Sequence, residues 1–327
     1  MGTCKCCQSQ TNESPVTSKP SIPEGLSLDS VSPRLLHLAE LALSNQSKTI
    51  DYINLSQKDL GEEISSIFET ILQHYTHIKV LILSSTNLGS ENWLSFSNIL
   101  SSFSQLITLD LSHNKIGSFG AEKLACSLEK NMRLENLVLN DVGLEGSGMV
   151  LICGGLLNLR NLRLLSVKDN KIGDIGMRML SNVINHIPLL SYLDVSYNQI
   201  SIVGSNYLGK CLESLRYLQV IKAGNNFFMK EGSNNVLTKL SFDVREIFFD
   251  GVGLEDANLI LFQPLLEKMS QLRVLVLDHN LVTVKSLEIL CEVLGRTKLK
   301  TLSLVSCDLA EGRKALSLAG PTCEILL

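Results

Sequence analysis

The sequence predicts an α/β solenoid: tandem units stacked into a horseshoe, with parallel strands on the concave face and helices on the convex face. Three observations predict it. Leu106 to Ile116, LITLDLSHNKI, follows the line L-x-x-L-x-L-x-x-N-x-L, with Leu or Ile at 106, 109, 111 and 116 and Asn114 in the polar slot. The line recurs from Ile50, Ile78, Leu106, Leu134, Leu162, Leu190, Leu218, Val244, Leu272 and Leu299, in steps of 28 six times and then 26, 28 and 27. A fixed period of this length marks a repeat array. The second half of each unit then changes to helical spacing, as in Ala121, Leu124, Ala125 and Leu128, or Leu287, Leu290, Cys291 and Leu294.

In chain order, MGTCKCC comes first. Removal of Met1 exposes Gly2, the acceptor for N-myristoylation, although Cys6 stands where Ser or Thr is usual. Cys4, Cys6 and Cys7 lie beside it. These seven residues resemble the doubly acylated starts of Src-type kinases and G-protein α subunits. One myristoyl chain holds a membrane only marginally, with K about 10⁴ M⁻¹, so a second signal is needed. Only Lys5 and Lys19 precede Glu24, so palmitoylated cysteines would have to supply it. A metal-binding C-x-C-C cluster and an unmodified start are the competing readings. Residues 1–31 are expected to be a disordered linker with this anchor, because QSQTNESPVTSKPSIPEGLSLDSV has almost no large apolar side chain. Its stretch from Gln8 to Val31 reaches roughly 25–30 Å. Ser14-Pro15 and Ser32-Pro33 are weak proline-directed phosphorylation patterns.

Residues 32–327 are predicted as one repeat domain: a helical cap over about 32–49, opened by Ser32-Pro33, then ten repeats over about 50–327. In each repeat the strand alternates, so that Leu109 and Leu111 point inward while Thr108 and Asp110 point outward. One unit cannot bury its apolar side alone, and stacked neighbours share a core. Strands pack about 4.8 Å apart and helices roughly 10 Å, so the helical side splays and the sheet becomes concave. Asn114, Asn170, Asn198, Asn226 and Asn280 sit where strand becomes loop, with donors and an acceptor for backbone that would otherwise be buried unpaired. Thr86 and Cys307 take that slot twice; Val142 and Val252 cannot hydrogen-bond, so those turns are expected to be less well held. Phe68, Trp93, Phe96 and Phe103 fall on the helical stripe and are read as core.

Two places break the rhythm. The repeat from Leu218 is two residues short and carries Ala223 and the loop GNNFF, with Phe228 inward. The next has Phe248 at an outward position and Pro264 inside its predicted helix, where proline starts or kinks it. Repeat drift and a reshaped binding surface both account for these. At the far end Ala315, Leu316, Leu318 and Ala319 are expected to form a last helix, and Cys323 to Leu327 a final short strand.

Composition narrows the function. The 327 residues carry a net charge of −4 and show no basic cluster, which argues against nucleic acid. No run of 18 apolar residues is present, so no transmembrane helix is expected. Of the nine cysteines, Cys126, Cys153, Cys211 and Cys291 fall in helix halves and are read as small core residues in a reducing compartment, with no disulfide or zinc spacing. No P-loop, G-x-G-x-x-G, H-E-x-x-H or G-x-S-x-G occurs. His113 and His279 share a loop position, but six repeats, about 29 Å, separate them. The expectation is no enzyme, no cofactor, no metal and no small-molecule substrate. Outward positions include Tyr52, Asp110, Asp141, Asp169, Asp250 and Asp278. The best candidate for partner binding is Tyr192, Asp194, Tyr197, Lys222 and Phe248, aromatics beside charges on three successive repeats.

The 28-residue step, the helix-bearing half and the Asn/Cys slot, over about Ile50 to Leu309, resemble the ribonuclease-inhibitor-type leucine-rich repeats. That family includes ribonuclease inhibitor, NOD-like receptors, the Ran GTPase-activating protein, and the actin regulators tropomodulin and CARMIL. The resemblance implies a rigid curved scaffold for protein recognition. Together with the amino terminus it leads to the expectation of a non-enzymatic interaction scaffold, cytoplasmic and peripheral on the inner face of a membrane. It would hold a protein partner on its concave face and the membrane through acyl groups. The alternatives are a Ran-activator-like GTPase regulator and a cytoskeletal (actin) regulator.

Overall fold

A computed structural model describes residues 51–60, 77–89, 92–309 and 312–327. The chain divides into two units, Met1–Lys48 and Thr49–Leu327, and every described residue belongs to the second. Gly2, Cys4, Cys6, Cys7, the linker, the helical cap and Phe68 lie outside the described residues.

Eleven three-residue strands form one parallel sheet in chain order: β1 (Tyr52–Asn54), β2 (Val80–Ile82), β3 (Thr108–Asp110), β4 (Asn136–Val138), β5 (Leu164–Ser166), β6 (Tyr192–Asp194), β7 (Val220–Lys222), β8 (Glu246–Phe248), β9 (Val274–Val276), β10 (Thr301–Ser303) and β11 (Glu324–Leu326). Registry repeats the sequence period. Tyr52 pairs with Val80 and Thr108 with Asn136, 28 residues on, whereas Val220 pairs with Glu246, 26 on. The central residue of strands β1 to β10 is buried and its flanks face the other way, as the alternation requires. The predicted final strand is present as β11, paired to β10.

Helices follow the strands: α1 (Trp93–Leu100), α2 (Gly117–Leu128), α3 (Glu145–Leu156), α4 (Gly173–Val183), α5 (Ile202–Ser214), α6 (Met229–Leu237), α7 (Asp256–Leu266), α8 (Leu287–Arg296) and α9 (Arg313–Ala319). Their buried stripes meet the strand centres in one continuous core. Leu109, Leu111, Leu124 and Leu128 are fully buried, each such side chain contributing about 2–3 kcal/mol. Trp93 and Phe96 are buried with their rings 5.4 Å apart at 81°, and Phe103 is buried too. The missing two residues of the short repeat come out of its helix: α6 has 9 residues, against 13 in α5 and 11 in α7.

Several expectations need correction. Cys126 is exposed, because the buried stripe of α2 runs through residues 121, 124, 125 and 128 and turns position 126 away. Cys291 is only half-buried, whereas Cys153 and Cys211 are buried. Burial pushes the Cys153 thiol up to about 12 and raises Cys211 as well, so both stay protonated and unreactive at neutral pH. In the last helix Leu316 is buried but Leu318 is 75% exposed. Pro264 does not start its helix: α7 begins at Asp256 behind a Glu255/Asn258 capping box and continues past the proline to Leu266.

The polar slot works across repeats, and this overturns the expectation for the valines. Asn198 Oδ1 accepts the Asn170 and Ile172 N–H of the preceding repeat, while its Nδ2 donates to Val167 O and Ser196 O. Each amide therefore holds the turn 28 residues earlier. The Val142 turn is held by Asn170, which accepts from Val142 N and Leu144 N. Asn280 does the same for Val252 and Leu254. The missing amide is felt one repeat back instead, where Ile116 N, whose counterparts Ile172 N and Ile200 N bond an asparagine Oδ1, bonds the backbone carbonyl of Val142.

Candidate functional site

The strand face is built from two outward residues per strand plus the first loop residues. The loop begins in the same way in every repeat. Gln57, Ser85, His113, Asp141, Asp169, Tyr197, Asn225, His279 and Ser306 all have φ between 49° and 61°. Left-handed backbone costs a non-glycine residue roughly 1 kcal/mol. In return His113, Asp141, Asp169 and Tyr197 each donate their N–H to a carbonyl of the next repeat, extending the sheet's hydrogen bonding beyond the strands. These side chains therefore line up along the loop rim. His113 Nδ1 lies 3.1 Å from Asp141 Oδ2, both exposed.

Three of the five predicted contact residues form one stack. Registry sets Asp194 beside Lys222 and Lys222 beside Phe248. The Lys222 ammonium lies 4.5 Å from the Phe248 ring centre and 5.5 Å from that of Tyr192. All three side chains are half-buried. Such cation–π contacts are worth about 0.5–1 kcal/mol where exposed, and more once water is excluded. Burial and then Asp194 raise the Tyr192 hydroxyl above its ordinary value of 10.0, partly offset by Lys222. Tyr192 therefore presents a neutral phenol.

Asp194 and Tyr197 stand differently. Asp194 is only 5% exposed, and its Oδ1 accepts the Ser196 N–H at 3.0 Å. It belongs to the turn of its own repeat and offers little surface, a correction to its expected role as a contact. Asp110 likewise accepts from Ser112 N in its own turn, whereas Asp278 accepts from Val305 N of the next repeat. Asp250 accepts from Asn225 Nδ2 and covers Gly224. Tyr197 lies past the strand, 45% exposed, with the Lys168 ammonium 5.0 Å from its ring centre. Sequence reading missed Lys168. The signal available was its loop position two residues beyond Ser166, one repeat before Tyr197.

Apolar side chains continue the face: Val276 is half-buried beside Phe248, and Val220 and Val274 are half-buried on either side of Glu246. An open pocket of about 340 Å³ lies at the C-terminal ends of α5 and α6, bordered by Leu212, Leu215, Arg216, Lys239 and Asp243. Among the described residues, no group of three or more His, Cys, Asp or Glu side chains is placed to hold a metal ion. No helix among them is long and apolar enough to cross a membrane.

A family model described as Leucine Rich repeat matches residues 105–125 and 158–181, the β3–α2 and β5–α4 units. The fold is a leucine-rich-repeat solenoid. Solved structures similar to this chain include an internalin C2 from Listeria monocytogenes. It has 19% identity and a TM-score of 0.48, over 84% of this chain and 93% of that one. An internalin (inlF) from the same organism has 13% identity and a TM-score of 0.45, over 90% and 94%. No curated protein matches the sequence. The matched leucine-rich repeats point to a protein-interaction scaffold.

Proposed function

We propose that this protein is a non-enzymatic scaffold of the ribonuclease-inhibitor type that holds a protein partner on its concave strand face. The observation that carries this is the Tyr192–Lys222–Phe248 stack, a cation clamped between two rings on three adjacent strands. It is pre-ordered, partly dehydrated and central on the face, as residues that dominate interfaces usually are. Lys168 over Tyr197 extends it toward the loop rim. The 28-residue step and the full helices support the ribonuclease-inhibitor subtype.

The scaffold is proposed to be tethered to the cytoplasmic face of a membrane by acyl groups on Gly2 and on Cys4, Cys6 and Cys7. The support is the sequence MGTCKCC and the need for a second signal beside one myristoyl chain. Proximity labelling in cells tests both parts. The wild type is compared with Gly2→Ala and with a Tyr192→Ala/Lys222→Ala/Phe248→Ala variant. The expected result is loss of membrane neighbours in the first and loss of a discrete protein neighbour in the second. Identical neighbours for wild type and Gly2→Ala would end the tether. An unchanged protein neighbour in the triple variant would end the strand-face reading.

A further inference from the structure

The residue just before each strand forms a row of its own along the opposite rim of the sheet. Lys79 N donates to Asp51 O, Ile107 N to Lys79 O, and so on through Arg273 N to Arg245 O and Lys300 N to Arg273 O. In the first half of this row charges alternate and pair. Lys79 lies 3.4 Å from Asp51 and Arg163 lies 3.3 Å from Glu135. In the last three repeats the row reads Arg245, Arg273, Lys300. None of these three makes an ion pair among the described residues, although Asp243, Glu246 and Glu324 are close in sequence or on the next strand. Arg273 Nη1 donates to Ser270 O and Leu272 O, which fixes its guanidinium at the rim. Arg245 and Lys300 are exposed.

Like charges directly opposite on neighbouring strands destabilise a sheet. In the free protein Glu246 and Glu324 stand on the adjoining strands, but among the described residues they form no ion pair with the row, and a row of anions from outside would relieve the cost. We infer that Arg245, Arg273 and Lys300 form a docking rim for an acidic helical segment of a protein partner. The spacing decides the class. Two strand steps of about 4.8 Å set the outer cations about 10 Å apart. Carboxylates at i, i+3 or i+4, and i+7 of a helix span about 10.5 Å. Beside the row, Phe248, Val274 and Val276 provide an apolar floor for the flank of such a helix. The sequence showed no basic cluster because the three cations are 28 and 27 residues apart, and only the fold stacks them. The inference rests on the strand face receiving a partner, and adds the partner's charge and shape.

The test uses the full chain and a synthetic helical peptide of alanine and leucine with glutamates at i, i+3 and i+7, alongside its glutamine counterpart. Fluorescence anisotropy at low salt should show the glutamate peptide binding about tenfold more tightly than the glutamine one. Arg245→Gln/Arg273→Gln/Lys300→Gln should abolish that preference, with a Tm equal to or above the wild type. Lys79→Gln, in the paired part of the row, should keep it. Equal binding of the two peptides, or a preference that survives the triple variant, would overturn the inference. So would phosphatidylserine vesicles that bind through the same three residues while the glutamate peptide does not, since the row would then serve a lipid surface. If labelling in cells depends on Tyr192, Lys222 and Phe248 but the peptide ignores the row, the scaffold stands and only the acidic partner is lost.

Discussion

Asn198 is fully buried, and its amide makes four hydrogen bonds, three to the preceding repeat (from Asn170 N and Ile172 N, and to Val167 O) and one to Ser196 O in its own turn. Asn198→Ala leaves the Asn170 and Ile172 N–H groups unpaired in the core, so it should cost about 2–4 kcal/mol in urea unfolding. Val142→Ala should cost only about 1–2 kcal/mol, because Asn170 holds that turn and only packing is lost. Equal losses would contradict the cross-repeat direction of these bonds. The slot itself was legible in the residue types. Its direction was not, because a period states spacing and not which neighbour is served. Asp194 was misread for a related reason. Strand alternation placed it outward, but only coordinates reveal that its carboxylate folds back onto Ser196 N.

Elements show a second regularity that the sequence held openly. Gly120, Gly148, Gly176, Gly204 and Gly232 stand 28 residues apart, each where a helix meets the preceding unit. A Cβ on Gly204 would lie 2.3 Å from Asp174 Oδ1 and 2.4 Å from Ile200 Cγ2. That Asp174 oxygen accepts from Ser201 N and Gly204 N and so caps α5. Gly204→Ala should therefore destabilise by about 1–3 kcal/mol, seen as a lower urea midpoint. The start of α8 is secured similarly by Asp256. Burial alone would raise its carboxyl, but hydrogen bonds from Ser286 Oγ, Thr283 N and Thr283 Oγ1 outweigh it and hold it below 3.8. A depressed folded value means stability that is present above 3.8 and lost as pH falls through the lower value. Asp256→Asn should be less stable than wild type at neutral pH, with the gap closing below 3.8; a gap independent of pH would contradict this. The helix of the short repeat was flagged by its period, yet its length needed the structure, since either loop or helix could have given up two residues.

At the scale of the whole repeat domain, period and alternation were enough for the fold, because a three-residue strand in a fixed register leaves one way to stack. The strand face was legible as a set of outward positions. Its organisation was not: the Lys222 stack and the cationic rim both join residues one repeat apart whose pairing depends on rotamers. The central claim is that a partner sits on the strands and not on the helices. A photo-cross-linking side chain placed at position 248, on the strand face, and separately at exposed Glu122 on α2 measures this most directly. In cells, position 248 should yield a discrete protein adduct that disappears when Lys222→Ala is added, while position 122 yields none. An adduct from position 122 with none from 248 would place the partner on the helical side and contradict the account.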